Sequence, residues 1–209
     1  MISSFSKKNF HSLCDLLAAK DADLRQVLTE YGYPAFWHRK PDFRTLVHII
    51  LEQQVSLASA KAALDQLERR LGNITHTSLL SLSDEEMRAC YFSRQKMGYA
   101  RHLAESIRAK HISLPSLQKL DDDAVRTELK KIRGIGDWSA DVFLMMALHR
   151  CDCFPLGDVA LITSMKEVKR LPADTLRENI GTMALQWHPY RTIAAYMLWW
   201  AYLSRRNRT

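Results

Sequence analysis

The segment Lys130-Lys131-Ile132-Arg133-Gly134-Ile135-Gly136-Asp137-Trp138-Ser139-Ala140-Asp141 ends one helical pattern and opens another within a few residues. Val125, Leu129 and Ile132 recur at helical spacing ahead of it, behind a capping Asp121. Gly134 and Gly136 then interrupt the pattern, and Asp137 or Trp138 starts a second helix running to about His149. Two glycines one residue apart permit a tight turn whose backbone N–H groups approach a phosphate unhindered by side chains. Such contacts hold a nucleic-acid backbone without reading its bases. The alternative is an ordinary helix–turn–helix corner in which the glycines only turn the chain.

Outward from this hairpin, helical periodicity dominates and two-residue alternation is absent, so the spacing predicts an all-α fold. Phe43 to Gln54 carries Leu46, Val47, Ile49 and Ile50 and reads as a buried helix starting near Asp42. From the N-cap Ser56, Leu57, Ala60, Leu64, Leu67 and Leu71 fall on one face up to Gly72. The polar break Glu52-Gln53-Gln54 separates these two helices. Ser83 and Glu86 fit a capping box for a short helix to about Tyr91, and Lys96 to Lys110 presents Met97, Ala100, Leu103, Ala104 and Ile107. Downstream, Phe154-Pro155-Leu156-Gly157-Asp158 precedes a helical run Val159 to Arg170. Leu176–Trp187 and a last helix with Tyr196, Trp199, Trp200 and Leu203 follow, separated by Pro189. No linker or repeat divides the chain, which is read as one domain over 1–209.

Thirty Lys and Arg against 23 Asp and Glu leave a net charge of +7 and a pI near 9.3, a balance that favours a polyanionic partner. No apolar segment is long enough to span a bilayer, and Met1-Ile2-Ser3-Ser4-Phe5-Ser6-Lys7-Lys8 lacks a signal peptide's hydrophobic region, so an intracellular protein is expected. Cys14, Cys90, Cys151 and Cys153 match no zinc or disulfide framework and are read as reduced packing thiols.

Four motifs in this order carry a resemblance. Ile50-Leu51-Glu52-Gln53-Gln54-Val55-Ser56, Phe92-Ser93-Arg94-Gln95-Lys96, the hairpin Ile132 to Ala140, and Pro155-Leu156-Gly157-Asp158 resemble the helix-hairpin-helix (HhH-GPD) DNA glycosylases from about Pro41 to Trp200. Within them the chain is similar to the AlkA-like 3-methyladenine branch, in the compact form without an N-terminal β domain. The resemblance implies two helical lobes with the active-site cleft between them, the hairpin at about 122–149 and a catalytic loop at about 151–160. It implies a monofunctional enzyme of base excision repair, a DNA-3-methyladenine glycosylase II-like hydrolase that flips an alkylated purine from double-stranded DNA and cleaves its N-glycosyl bond. A non-catalytic helix-hairpin-helix protein that binds damaged DNA is the alternative.

The resemblance also assigns residues. Gly134 and Gly136, with the Ser139 hydroxyl, would hold a phosphate. The carbonyls of Lys130, Ile132 and Gly134 would hold a structural sodium or potassium ion, with no cofactor required. Asp158 would be the catalytic carboxylate, although Gly-Asp ahead of an apolar helix is equally an N-cap, and the two roles coexist. Where bifunctional relatives carry a nucleophilic lysine, this chain has Trp138, so no lyase activity is expected. Trp138 and Trp199 are assigned to the base pocket, whose π-faces attract cationic alkylpurines; core packing is the other reading for each. Val142 and Val159 stand where larger relatives have pocket tyrosines. Gln54 is the wedge that fills the gap of the flipped base, and Lys96, with Arg94 and Arg101, contacts the DNA backbone. The implied setting is a monomer on DNA in a bacterial cytoplasm, or in the nucleus of a eukaryote, with no membrane role.

Overall fold

The computed structural model describes residues 4–207; the first three and last two positions, on which part of the leader-sequence expectation falls, lie outside that range. The all-α expectation is met. Among the described residues the sole β pairing is one isolated bridge between Ser4 and Arg150. The chain forms two compact helical units, one from residues up to His38 together with those from Leu144 onward, the other from Arg39 to Phe143.

The first unit contains α1 (Phe10–Lys20) and α2 (Ala22–Tyr31), ahead of the first helix assigned from periodicity. The second unit holds α3 (Phe43–Glu52), α4 (Leu57–Leu71), α5 (His76–Leu80), α6 (Asp84–Ala89), α7 (Arg94–Arg108), α8 (Leu114–Leu117) and α9 (Asp122–Lys130). The unit boundary falls inside α10 (Asp137–Met146), and α11 (Val159–Val168), α12 (Arg177–Ala184), the 3₁₀ turn Leu185–Trp187 and α13 (Arg191–Asn207) complete the first unit.

Helix starts follow local chemistry closely. Asp42, Ser56, Ser83, Ser93 and Asp121 each cap the N-terminus of the next helix through their own side chains. The capping box is present, Glu86 accepting from the Ser83 N–H at 2.7 Å. Helix ends differ more: α3 stops at Glu52, α6 at Ala89, α10 at Met146 and α11 at Val168, each short of the predicted end. The last stretch before Pro189 tightens from α12 into a 3₁₀ turn.

In the second unit α3 packs on α4 and α7, and α7 on α5 and α6. Leu46, Ile49, Ile50, Leu67 and Leu103 are fully enclosed there, each such side chain contributing roughly 1.5–3 kcal/mol. Leu57, expected on the buried face of α4, is 62% exposed at the first position of that helix. In the first unit α13 contacts α11, α2 and α1, and its residues from Thr192 to Trp199 are all buried. Tyr196 packs edge-on against Phe5 and Phe10 at 5.8 and 5.5 Å. Asp21 accepts from the Trp187 indole at 2.8 Å and pairs with Lys169 at 2.7 Å, tying α2 to the 3₁₀ turn and the end of α11. All four cysteines are buried and none forms a disulfide, and enclosure raises the Cys14 thiol to about 12.

Candidate nucleic-acid interface and candidate catalytic carboxylate

In the second unit, the turn between α9 and α10 is built around Gly134, whose φ of +88° suits glycine alone. Tyr99 of α7 packs directly on it: a Cβ at Gly134 would lie 2.1 Å from the ring's Cγ. His102, one turn further along α7, accepts from the Arg133 N–H at 3.0 Å. Tyr99 and His102 thus buttress the hairpin from below, a role that the periodicity of α7 does not announce. Gly136 is exposed, has ordinary φ and open space around it. Among the described residues, neither the Gly134 nor the Gly136 N–H reaches a protein acceptor. These amides lead into the N-terminus of α10, where the helix dipole adds partial positive charge.

Ser139 lies in the first turn of α10 and is 2% exposed, beneath the hairpin surface. Its Oγ accepts from Gln53 Nε2 at 2.9 Å, and the same nitrogen donates to the Gly134 carbonyl at 2.8 Å. Of the carbonyls assigned to a monovalent cation, that of Gly134 therefore already accepts the Gln53 amide, and that of Ile132 accepts the Ile135 N–H at 3.0 Å. The Lys130 side chain pairs with Asp137 at 2.6 Å. Among the described residues no cluster of three or more His, Cys, Asp or Glu could hold a metal ion.

Gln54 protrudes from the turn between α3 and α4, exposed and with φ of +56°. The turn is anchored behind it. Lys96 donates from Nζ to the Leu51 carbonyl at 2.7 Å, and burial holds its pKa below the ordinary lysine range. Glu52 is enclosed and receives both guanidinium nitrogens of Arg39, at 2.8 and 2.6 Å. Beside the turn is a hollow of about 300 Å³ lined by Leu51, Val55, Ser59, Ala62, Ala63, Tyr91 and Lys96. Val55 and Tyr91 at its rim are 46% and 66% exposed. Of the basic cluster, Arg94 is exposed, whereas Arg101 is committed to the Leu82 carbonyl and Asp84. Trp138 is half-buried in the first turn of α10.

In the first unit, Asp158 begins α11. Its Oδ1 accepts the Leu161 N–H at 2.8 Å, the cap that local sequence allows. The Trp199 indole N–H, from α13, reaches the same oxygen at 3.1 Å. Trp199 is 8% exposed and packs against Trp37 and Tyr196, at 6.2 and 6.0 Å between ring centroids. Within its own unit, then, the indole edge of Trp199 is engaged with the Asp158 carboxylate. Helix start and indole together hold one carboxylate oxygen in a fixed direction. Nearby, Asp152 is bound by Arg191 at 2.8 Å and by His188, so it is engaged structurally.

Comparison with known proteins adds four findings. The HhH-GPD superfamily of base excision DNA repair proteins matches residues 47–188. DNA-3-methyladenine glycosylase 1 of Schizosaccharomyces pombe is 26% identical over 165 residues, covering 77% of this chain and 72% of that protein. A DNA-3-methyladenine glycosylase of Bacillus subtilis is 26% identical over 172 residues, and there the chain spans only 57% of the relative's length. The crystal structure of a DNA-3-methyladenine glycosidase from Bacillus halodurans superposes with a TM-score of 0.74 at 29% identity, covering 91% of this chain and 89% of that one.

Proposed function

The chain belongs to the HhH-GPD superfamily of base excision DNA repair proteins, and from that premise we propose that it is a monofunctional DNA glycosylase that removes alkylated purines from duplex DNA. The observation that carries the reading is Asp158, whose Oδ1 is fixed by a helix-terminal amide and an indole N–H. The relatives named DNA-3-methyladenine glycosylase support the substrate class.

In this reading the hairpin amides of Gly134 and Gly136 hold a backbone phosphate, and Gln54 occupies the space that the extruded nucleotide vacates. The C1′–N bond breaks with its electron pair leaving on the base. A purine alkylated at N3 or N7 is already cationic, so it departs as a neutral base and needs no strong general acid. Positive charge grows on the deoxyribose C1′ and O4′, and the Asp158 carboxylate stabilises it electrostatically. Water adds to C1′ and gives up a proton, leaving an abasic site and free base. Trp138 offers an electron-rich face to the cationic base, and no side chain at that position can form a Schiff base. The chain acts as one domain, as a monomer, without a redox cofactor. The carbonyls of Lys130, Ile132 and Gly134 would hold a sodium or potassium ion, whose part would be structural. No helix among the described residues is long and apolar enough to cross a membrane.

The test is release of free 3-methyladenine and 7-methylguanine from methylated duplex DNA. Asp158→Asn is expected to keep duplex binding and lose release by about 10²-fold or more. The Asp158 cap is also what a non-catalytic damage-binding protein would show; tight binding by wild type with no free base would establish that reading instead. Borohydride is expected to trap no covalent adduct.

A further inference from the structure

Gln53 closes α3, yet its side chain does not serve the turn it belongs to. Both of its polar contacts run to the hairpin and α10, 81 and 86 positions along the chain. The Gly134 carbonyl can only accept, which fixes the nitrogen end of the Gln53 amide toward it. The Ser139 oxygen, facing that same NH₂, is then an acceptor as well. Resting on the glycosylase reading, we propose that Gln53 is a positioning residue that latches the Gln54 turn to the phosphate-gripping hairpin, so that wedge and clamp meet the duplex as one preorganised surface.

Gln54 supports this directly. A non-glycine residue at φ +56° is strained, and such a conformation persists where its surroundings over-determine it. Here each of the three preceding residues is pinned: Leu51 by Lys96, Glu52 by Arg39, Gln53 by the hairpin. The last of these pins joins the turn to the glycine hairpin. Beyond Gln54, Val55 and Leu57 are 46% and 62% exposed, so the projecting edge is apolar and suited to entering a base stack. A wedge held rigid before contact loses less conformational freedom on insertion than a mobile one. A glutamate at position 53 would set a carboxylate against the Gly134 carbonyl, and methionine would fill the same space with no donor.

The experiment uses the full chain as Gln53→Met, Gln53→Glu, Gln54→Ala and the Gln53→Met/Gln54→Ala double variant. Anisotropy gives affinity for a duplex with a tetrahydrofuran abasic analogue and for an undamaged duplex, and 2-aminopurine opposite the analogue reports wedge insertion. Gln53→Met and Gln54→Ala are each expected to lower the insertion signal and the abasic-site affinity about ten-fold, with undamaged-duplex affinity within two-fold of wild type. The double variant should match Gln54→Ala alone, because a latch has no further effect once the wedge is gone. Gln53→Glu should behave as Gln53→Met or worse. Multiplying effects in the double variant, wild-type behaviour of Gln53→Met, or equal loss on undamaged duplex would overturn the proposal. If Gln53→Met does not fold, Gln53→Glu carries the same comparison. None of these readouts requires base release, so a protein that inserts its wedge yet liberates no base would defeat the glycosylase reading and leave the latch standing.

Discussion

Gly134 and Gly136 look equivalent in the sequence, and the structure separates them. Gly134 needs both a left-handed backbone and the absence of a Cβ beneath Tyr99, so Gly134→Ala should cost about 2 kcal/mol or more and lower the melting temperature visibly in calorimetry. Gly136→Ala meets open space and should stay within about 0.5 kcal/mol of wild type, showing its effect only in duplex binding. Trp199 divides in the same way between packing and polarity. Trp199→Phe keeps an aromatic ring and removes the N–H that holds Asp158 Oδ1; single-turnover base release should fall about ten-fold while the fold is retained. An unchanged rate would reduce Trp199 to core packing. The position of Asp158 and its cap were legible from Gly-Asp before an apolar run. Its indole partner was not, since 41 residues separate the two and no local pattern links them.

At the scale of elements, the helix starts assigned to Asp42, Ser56, Ser83 and Asp121 are capped as expected, because capping is settled within three residues. Helix ends and exposed faces follow neighbours more than spacing, as Leu57 shows. Lys96 illustrates a residue shared between two elements. Its ammonium caps α3 at Leu51 through one proton, and the backbone-phosphate contact expected from the sequence would use another. Lys96→Met should therefore lower the melting temperature and also reduce the slope of log affinity against log salt by about one. A lower melting temperature with an unchanged slope would assign Lys96 to α3 alone. α1 and α2 lie ahead of the first helix that periodicity assigns, yet α2 opens on an Asp21 cap as regular as any other.

Over the whole molecule, the net charge of +7 suits a DNA-binding protein, while acid acts on buried histidines in both units, His48 in the second and His149 in the first. There His149 stacks on Phe36 and lies 3.2 Å from His38; burial, reinforced by His38, lowers its pKa to about 4. The unfolded chain takes up that proton near pH 6.5 and the folded chain resists it, so stability should fall as pH drops from 6.5 toward 4. Asp21 and Asp152 act lower. Burial alone would raise both, but hydrogen bonds from Lys169 and Trp187 to Asp21, and from Arg191 and His188 to Asp152, outweigh it. Their contribution is present above the usual carboxylate range and disappears as pH falls through their depressed values. Between pH 7 and 5 the melting temperature should drop by a few degrees in wild type and by less in His149→Asn, which also tolerates the left-handed backbone at that position. The sequence by itself determined what depends on neighbours within a turn or two: the helix class, the caps, the glycine hairpin, the motif order and the carboxylate ahead of α11. Tertiary structure alone decided which of those residues touch. The Gln53 latch, the Trp199 bond to Asp158, the Tyr99 floor under Gly134 and the paired histidines each join positions that only packing brings together, and a one-dimensional pattern has no term for the direction in which a side chain finds its partner.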